Sequence, residues 1–159
     1  MSLAAGCGQT STTPPAQPRT IALDWHEGSG LRVDVRKLVV RPNGWSVSAS
    51  VRNDSSVGLL IQRPHHPGEA EFGVLPLDSA DIEAVERAGS GVFATRFEPP
   101  LPRVLHPHAT WSGTFSGPGR LSKAHYVRVE VGRFTRYGSA RGAVPLRLRY
   151  VTDHVLRLR

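Results

Sequence analysis

The side chains best suited to chemistry in this chain are seven histidines, eighteen arginines and one cysteine. His65 and His66 share one proline-bounded stretch, Pro64-His65-His66-Pro67, and His106 and His108 flank Pro107 in another. Imidazole nitrogens suit Zn²⁺ or Cu²⁺, so these four histidines are a candidate metal set if the two stretches meet. A closed zinc site needs four ligands in defined geometry, and neither carboxylates nor cysteines stand at ligand spacing here. Solvated histidines in proline-rich turns are therefore the competing reading. The arginines make a second candidate. In Arg147-Leu148-Arg149 and Arg157-Leu158-Arg159 they recur at i and i+2, which puts each pair on one side of a strand and the leucine on the other. With Arg128 they would stud one sheet face, and guanidinium forks match phosphate and carboxylate. The ligands such a face would take are anionic lipid headgroups or wall polymers. The competing reading is a solvated face that discourages edge-to-edge pairing.

Other chemistries find no residues to carry them. The chain has no Gly-x-Ser-x-Gly elbow, no second cysteine and no His-Glu-x-x-His. His26-Glu27 runs into Gly28-Ser29-Gly30 and reads as a turn. No glycine cluster leads into a helix bearing Lys and Ser/Thr, as a phosphate loop requires. The expectation is a non-catalytic protein without a cofactor. Nucleic acid is not expected as a partner, since basic and aromatic residues do not interleave into a stacking platform.

The formal charge of +7 is unevenly spread. Residues 120–159 carry ten basic side chains against Glu130 and Asp153, whereas residues 1–119 hold ten basic and eleven acidic. Arginine outnumbers lysine eighteen to two, which together with the Ala, Gly and Pro content points to a GC-rich genome rather than to a particular chemistry.

The single cysteine, Cys7, follows Ala5 and Gly6 and precedes an uncharged run of Ser, Thr, Pro and Gln through Pro18. Small residues before a cysteine resemble a bacterial lipobox, which implies cleavage before Cys7, lipidation of its thiol and an extracytoplasmic protein anchored to the membrane. The match departs from the pattern in that Leu3 stands four positions before Cys7 and Ala4 three before it. The basic segment and the apolar stretch of about 7–15 residues that a secretory signal needs are not present. Met1-Ser2-Leu3 thus reads as an expression start in place of a removed signal, a form that stays soluble because Cys7 escapes lipidation. Residues 8–18 have the composition of a tether, so the chain divides into a tail, residues 1–19, and one domain, residues 20–159.

These candidates need a scaffold, and the scaffold is legible in residues 31–54. Apolar residues alternate at 31, 33 and 35, change phase across Arg36 and Lys37, and alternate again at 45, 47, 49 and 51. A period of two marks strands with one buried and one wet face, and the change of phase predicts a β-bulge or a bend. Asn43-Gly44 supplies the two residues a type I′ hairpin turn favours. Further strands are predicted at 20–25, 57–61, 71–77, 91–98, 109–115, 126–131, 144–150 and 154–159. Pro76 makes 71–77 an edge strand or connection. One short helix is predicted over 78–89, capped by Asp78 or Ser79 and ended by Gly89. Trp25, Trp45 and Trp111 are the expected bulky core fillers.

The fold class is all-β: an antiparallel sandwich of about seven to nine strands with at most one short helix. Val51-Arg52-Asn53-Asp54-Ser55-Ser56 followed by Leu59-Leu60-Ile61 resembles the strand, turn and strand of immunoglobulin-like domains in exported bacterial lipoproteins. Leu105-His106-Pro107-His108-Ala109 through Phe115 is similar to a later turn and strand of that family, with His108 where glycine is expected. The resemblance implies an immunoglobulin-like β-sandwich at the cell envelope and transfers no site.

Overall fold

The computed structural model describes residues 19–27, 30–41, 43–61, 70–81, 83–84, 91–119, 121, 124–136, 148–151 and 155–158. They form twelve strands: β1 (Arg19–Glu27), β2 (Leu31–Arg41), β3 (Gly44–Asn53), β4 (Leu59–Leu60), β5 (Gly73–Leu77), β6 (Val92–Phe93), β7 (Arg96–Glu98), β8 (Val104–Leu105), β9 (Thr110–Pro118), β10 (Tyr126–Arg136), β11 (Leu148–Val151) and β12 (Leu156–Arg157). The number exceeds the expected seven to nine because several strands are only two residues long and residues 91–98 divide between two sheets.

One sheet has the order β1-β2-β3-β9-β7 and the other β6-β5-β10-β4-β8, with β11 and β12 also paired to β10. Every pairing is antiparallel. The phase change predicted across Arg36 and Lys37 is a bulge in the β2–β3 ladder between Val35 and Lys37. The extra residue returns Leu38 to the inner face opposite Val47, which is what the apolar pattern requires.

The inner faces meet in one apolar core. From the first sheet come Val33, Val35, Leu38, Trp45, Val47, Val51, Trp111 and Phe115, and from the second Val74, Val127, Val129, Val131 and Phe134. Phe72, just ahead of β5, lies at the centre. It is fully buried and meets Phe97, Trp111, Phe115 and Phe134 edge to face, with ring centroids 5.4–6.0 Å apart. Edge-to-face geometry sets the positive ring edge against a negative face, which adds to area burial. Two of the three tryptophans are core residues as predicted, Trp45 and Trp111; the side chain of Trp25 lies outside what is described.

A strap joins the layers. Val92 and Phe93 pair with β5, the Ala94 N–H donates to the Phe72 carbonyl and the Thr95 N–H to that of Ser116, and residues 96–98 then pair with β9. Gly113 and Gly117 of β9 make room for this passage. A Cβ at Gly117 would come within 2.8 Å of the Phe93 carbonyl oxygen, and one at Gly113 within 2.6 Å of that of Glu98.

Two local expectations are corrected. Arg41 pairs with Gly44, so Gly44 already belongs to β3 rather than to the turn. Gly44 does not adopt a positive φ, so the Asn-Gly pair is not the type I′ turn. Its glycine is needed for space, because a Cβ there would meet the Gly117 carbonyl oxygen at 2.7 Å. Strand β5 is covered by β6 only at Gly73 and Val74, so Pro76, opposite Val127, sits where the strand has become an edge and the missing N–H costs no ladder bond. At the predicted helix, the Ser79 hydroxyl accepts the Asp81 N–H at 3.3 Å, the Ala84 N–H donates to the Asp81 carbonyl at 3.0 Å, and Glu83 and Ala84 are helical. Residues 82 and 85–90 lie outside the described residues.

Candidate functional site

The histidine set is resolved at one of its two stretches. His106-Pro107-His108-Ala109 is a turn closed by the Ala109 N–H donating to the His106 carbonyl at 3.1 Å. Proline at the second position and a positive φ of 61° at His108 are the pattern of a type II turn. Glycine is the residue that conformation favours. Both imidazoles are exposed, and what holds the turn is the backbone: the His108 N–H donates to the Asn53 carbonyl at 2.7 Å. No group of three or more metal-ligating side chains occurs among the described residues. His65 and His66 lie outside the described residues, as does Cys7.

Asn53 is the polar centre of this end of the sandwich and is fully buried. Its Nδ2 donates to the carbonyls of Val57 at 2.7 Å, Leu105 at 3.0 Å and His106 at 3.2 Å. Its Oδ1 accepts the Ser55 N–H at 3.0 Å and the Ser55 hydroxyl at 2.6 Å. One side chain thus ties the loop after β3 to the loop before β9, and its amide capacity is used in full. The role is architectural.

The arginine candidates do not form one solvent-facing array. Arg128 lies on β10 opposite Leu75 and is only 6% exposed, next to fully buried Glu130. The i, i+2 spacing does turn both away from Val127, Val129 and Val131, but that outer face carries a second small core of Leu75, Leu77 and Ala84, with Tyr126 and Val151 packed against it. A Cβ on Gly91 would stand 2.7 Å from Glu130 Oε2, so chain covers this face at Gly91 as well. Arg128 is therefore withdrawn from any anion-binding surface. Arg157 is exposed, on β12 opposite Tyr126. Arg149 is placed by its backbone register opposite Gly132, and Arg147 and Arg159 lie outside the described residues.

A surface that pattern reading passed over is the outer face of the first sheet. Ser46, Ser48 and Ser50 of β3 pair with Ser116, Thr114 and Ser112 of β9, and Thr110 lies opposite Arg52. Ser48 and Thr114 are hydrogen bonded through their hydroxyls at 3.1 Å. The register extends sideways into rows: Lys37, Ser48, Thr114 and Glu98 form one, and Val39, Ser46, Ser116 and Arg96 the next. The alternating serines were the available signal, but only the register shows that both central strands carry small hydroxyls side by side. Comparisons with protein-family models, with curated proteins and with solved structures return no match for this chain.

Proposed function

We propose that this chain is the folded domain of a lipid-anchored bacterial envelope protein, an immunoglobulin-like β-sandwich with a non-catalytic binding or accessory role. The observation that carries the reading is Cys7, the one cysteine, set after Ala5-Gly6 and before an uncharged Ser/Thr/Pro-rich run that ends where β1 begins. A thiol so placed suits attachment of lipid. Two signals make a stable anchor where one chain is marginal, and the C-terminal quarter supplies a candidate second in its excess of ten basic side chains over two acidic. Arg147, Arg149, Arg157 and Arg159 are the residues proposed to meet anionic lipid or wall polymer.

The test is the mass of the Cys7 peptide from the whole gene product recovered from its own bacterial host. A diacylglycerol thioether on Cys7 at a new N-terminus supports the anchor. An unmodified cysteine inside a longer peptide overturns it. Co-sedimentation with vesicles of anionic phospholipid tests the basic residues separately: changing Arg147, Arg149, Arg157 and Arg159 to Gln lowers binding if they are the contact and leaves it unchanged if they are not.

A further inference from the structure

We propose that the outer face of the β1-β2-β3-β9-β7 sheet is a self-association surface, on which two copies of this chain pack face to face about a two-fold axis running parallel to the strands between β3 and β9. The centre of this face is Ser46, Ser48 and Ser50 beside Ser116, Thr114 and Ser112. Short side chains on these paired strands leave little bulk to hold a second sheet away; the long side chain that reaches over them is Arg36, 3.4 Å from the Ser50 hydroxyl at the rim. The Ser48–Thr114 hydroxyl pair, 3.1 Å apart, sits in the middle.

Charge identifies the occupant. The row through Ser48 and Thr114 ends in Lys37 on β2 and Glu98 on β7. Each lies one strand beyond the central pair, on opposite sides and at the same height. A two-fold axis between β3 and β9 lays Lys37 of one copy on Glu98 of the other, and Glu98 on Lys37, so the contact is made twice. A closed dimer requires this self-complementarity of one patch, and a row with opposite charges at equal distances from its midpoint has it. The same operation lays Ser48 on Thr114, Ser46 on Ser116 and Ser50 on Ser112. Nearby charges do not compete: Asp34 is held by Arg36 at 3.0 Å, and Arg96 faces Val39 across the axis. Glu98 is loosely held within its own chain, with its side chain 77% exposed and Arg96 3.8 Å away.

The area sets the strength. Four strands about 4.8 Å apart and seven residues at about 3.3 Å cover a patch of roughly 19 by 23 Å, so a dimer buries on the order of 900 Å² in total. That is below the standard range for stable complexes, and the hydroxyls favour a wet interface. The expected dimer is weak and reversible, in the range of about 10⁻⁴ M, and gains meaning where copies are concentrated together, as on a membrane.

Sedimentation velocity of the whole chain with reductant, so that Cys7 cannot link copies, reads the association between about 10 μM and 1 mM. The wild type should show a sedimentation coefficient that rises with concentration. Lys37→Glu and Glu98→Lys should each weaken association at least about tenfold, because each sets two like-charged contacts in the interface. The double variant Lys37→Glu/Glu98→Lys should recover it, and an equimolar mixture of the two single variants should form a heterodimer that neither forms alone. Both residues are exposed, so circular dichroism and the urea midpoint should match the wild type. A concentration-independent monomer overturns the proposal, and so does a dimer that ignores the single charge reversals or is not restored by the swap.

Discussion

The side-chain amide of Asn53 donates to the backbone carbonyl of Leu105 at 3.0 Å from a fully buried position, spanning a sequence separation of 52 residues. The same nitrogen reaches Val57 and His106, and the Asn53 oxygen is taken by Ser55. Replacing Asn53 with Ala would strand these groups in the interior, at about 1–3 kcal/mol for an unsatisfied buried group. A loss of about 3 kcal/mol or more in urea unfolding is expected, and a loss below about 1 kcal/mol would show that the loops hold without it.

Asn53→Asp tests the polarity of that network. A carboxylate facing three carbonyl oxygens in a buried site is disfavoured, so the folded-state pKa of this aspartate should lie above its ordinary value. The unfolded chain ionises first as pH rises, which gives a variant that is most stable below the ordinary Asp range and loses stability as pH climbs towards the folded-state value. The urea-midpoint deficit relative to wild type should thus be larger at neutral pH than in acid, while Asn53→Ala should show no such trend. Equal deficits at both pH values would mean that Nδ2 is not the essential donor.

His108 holds a positive φ of 61° at the third position of its turn. A residue with a Cβ pays roughly 1–2 kcal/mol there and glycine does not, although glycine loses more freedom on folding. His108→Gly should therefore stabilise the domain by up to about 1 kcal/mol, whereas His108→Val should destabilise it. The imidazole is exposed, so no packing offsets the gain. A stability loss in the glycine variant would assign the histidine ring a structural contact of its own.

Much of the fold was legible because its signal is local. Alternation across β2 and β3 and the bulge before Lys37 follow from which residues must face inward, since a one-residue slip would bury Arg32 or Ser48. What escaped depends on contacts distant in sequence. Phe72 reads as part of a possible edge or connection, yet four rings from three strands, β7, β9 and β10, converge on it. The division of residues 91–98 between two sheets is set by where Phe72 and Ser116 offer carbonyls. The arginine surface was misjudged at Arg128 for a related reason: spacing tells which side of a strand a residue takes but not whether that side carries a second cover. The hydroxyl face needed the β3–β9 register, which no single strand reveals.

Gly44 separates two accounts of the β2–β3 turn. If Asn43 and Gly44 formed a type I′ turn, replacing either with alanine would be costly, since both would need positive φ. With Gly44 paired in β3 and its α-hydrogen against the Gly117 carbonyl, only Gly44→Ala should destabilise, by about 1–3 kcal/mol for forcing backbone apart. Asn43 is exposed and Asn43→Ala should stay within about 0.5 kcal/mol. Comparable losses at both positions in thermal unfolding would restore the type I′ account.

Trp45 and Trp111 are equally buried but differently satisfied. The Trp111 Nε1–H donates to the Pro99 carbonyl at 3.2 Å, close to where the strap leaves β9, while the buried Trp45 Nε1–H has no hydrogen-bond partner among the described residues. A buried donor without a partner carries a desolvation penalty of about 1–3 kcal/mol, and phenylalanine removes that donor. For Trp45→Phe this relief opposes the loss of ring volume and of part of the edge contact with Phe115, whose centroid is 6.0 Å away, so the net change should be under about 1 kcal/mol. Trp111→Phe loses volume as well and strands the Pro99 carbonyl, so it should cost about 2 kcal/mol or more. Chemical denaturation of the two variants side by side reads the difference. If Trp45→Phe proved the more damaging, the packing of its larger ring against Gly117 would outweigh the unsatisfied N–H, and the end of the sandwich at Gly44 would be held by shape rather than by polarity.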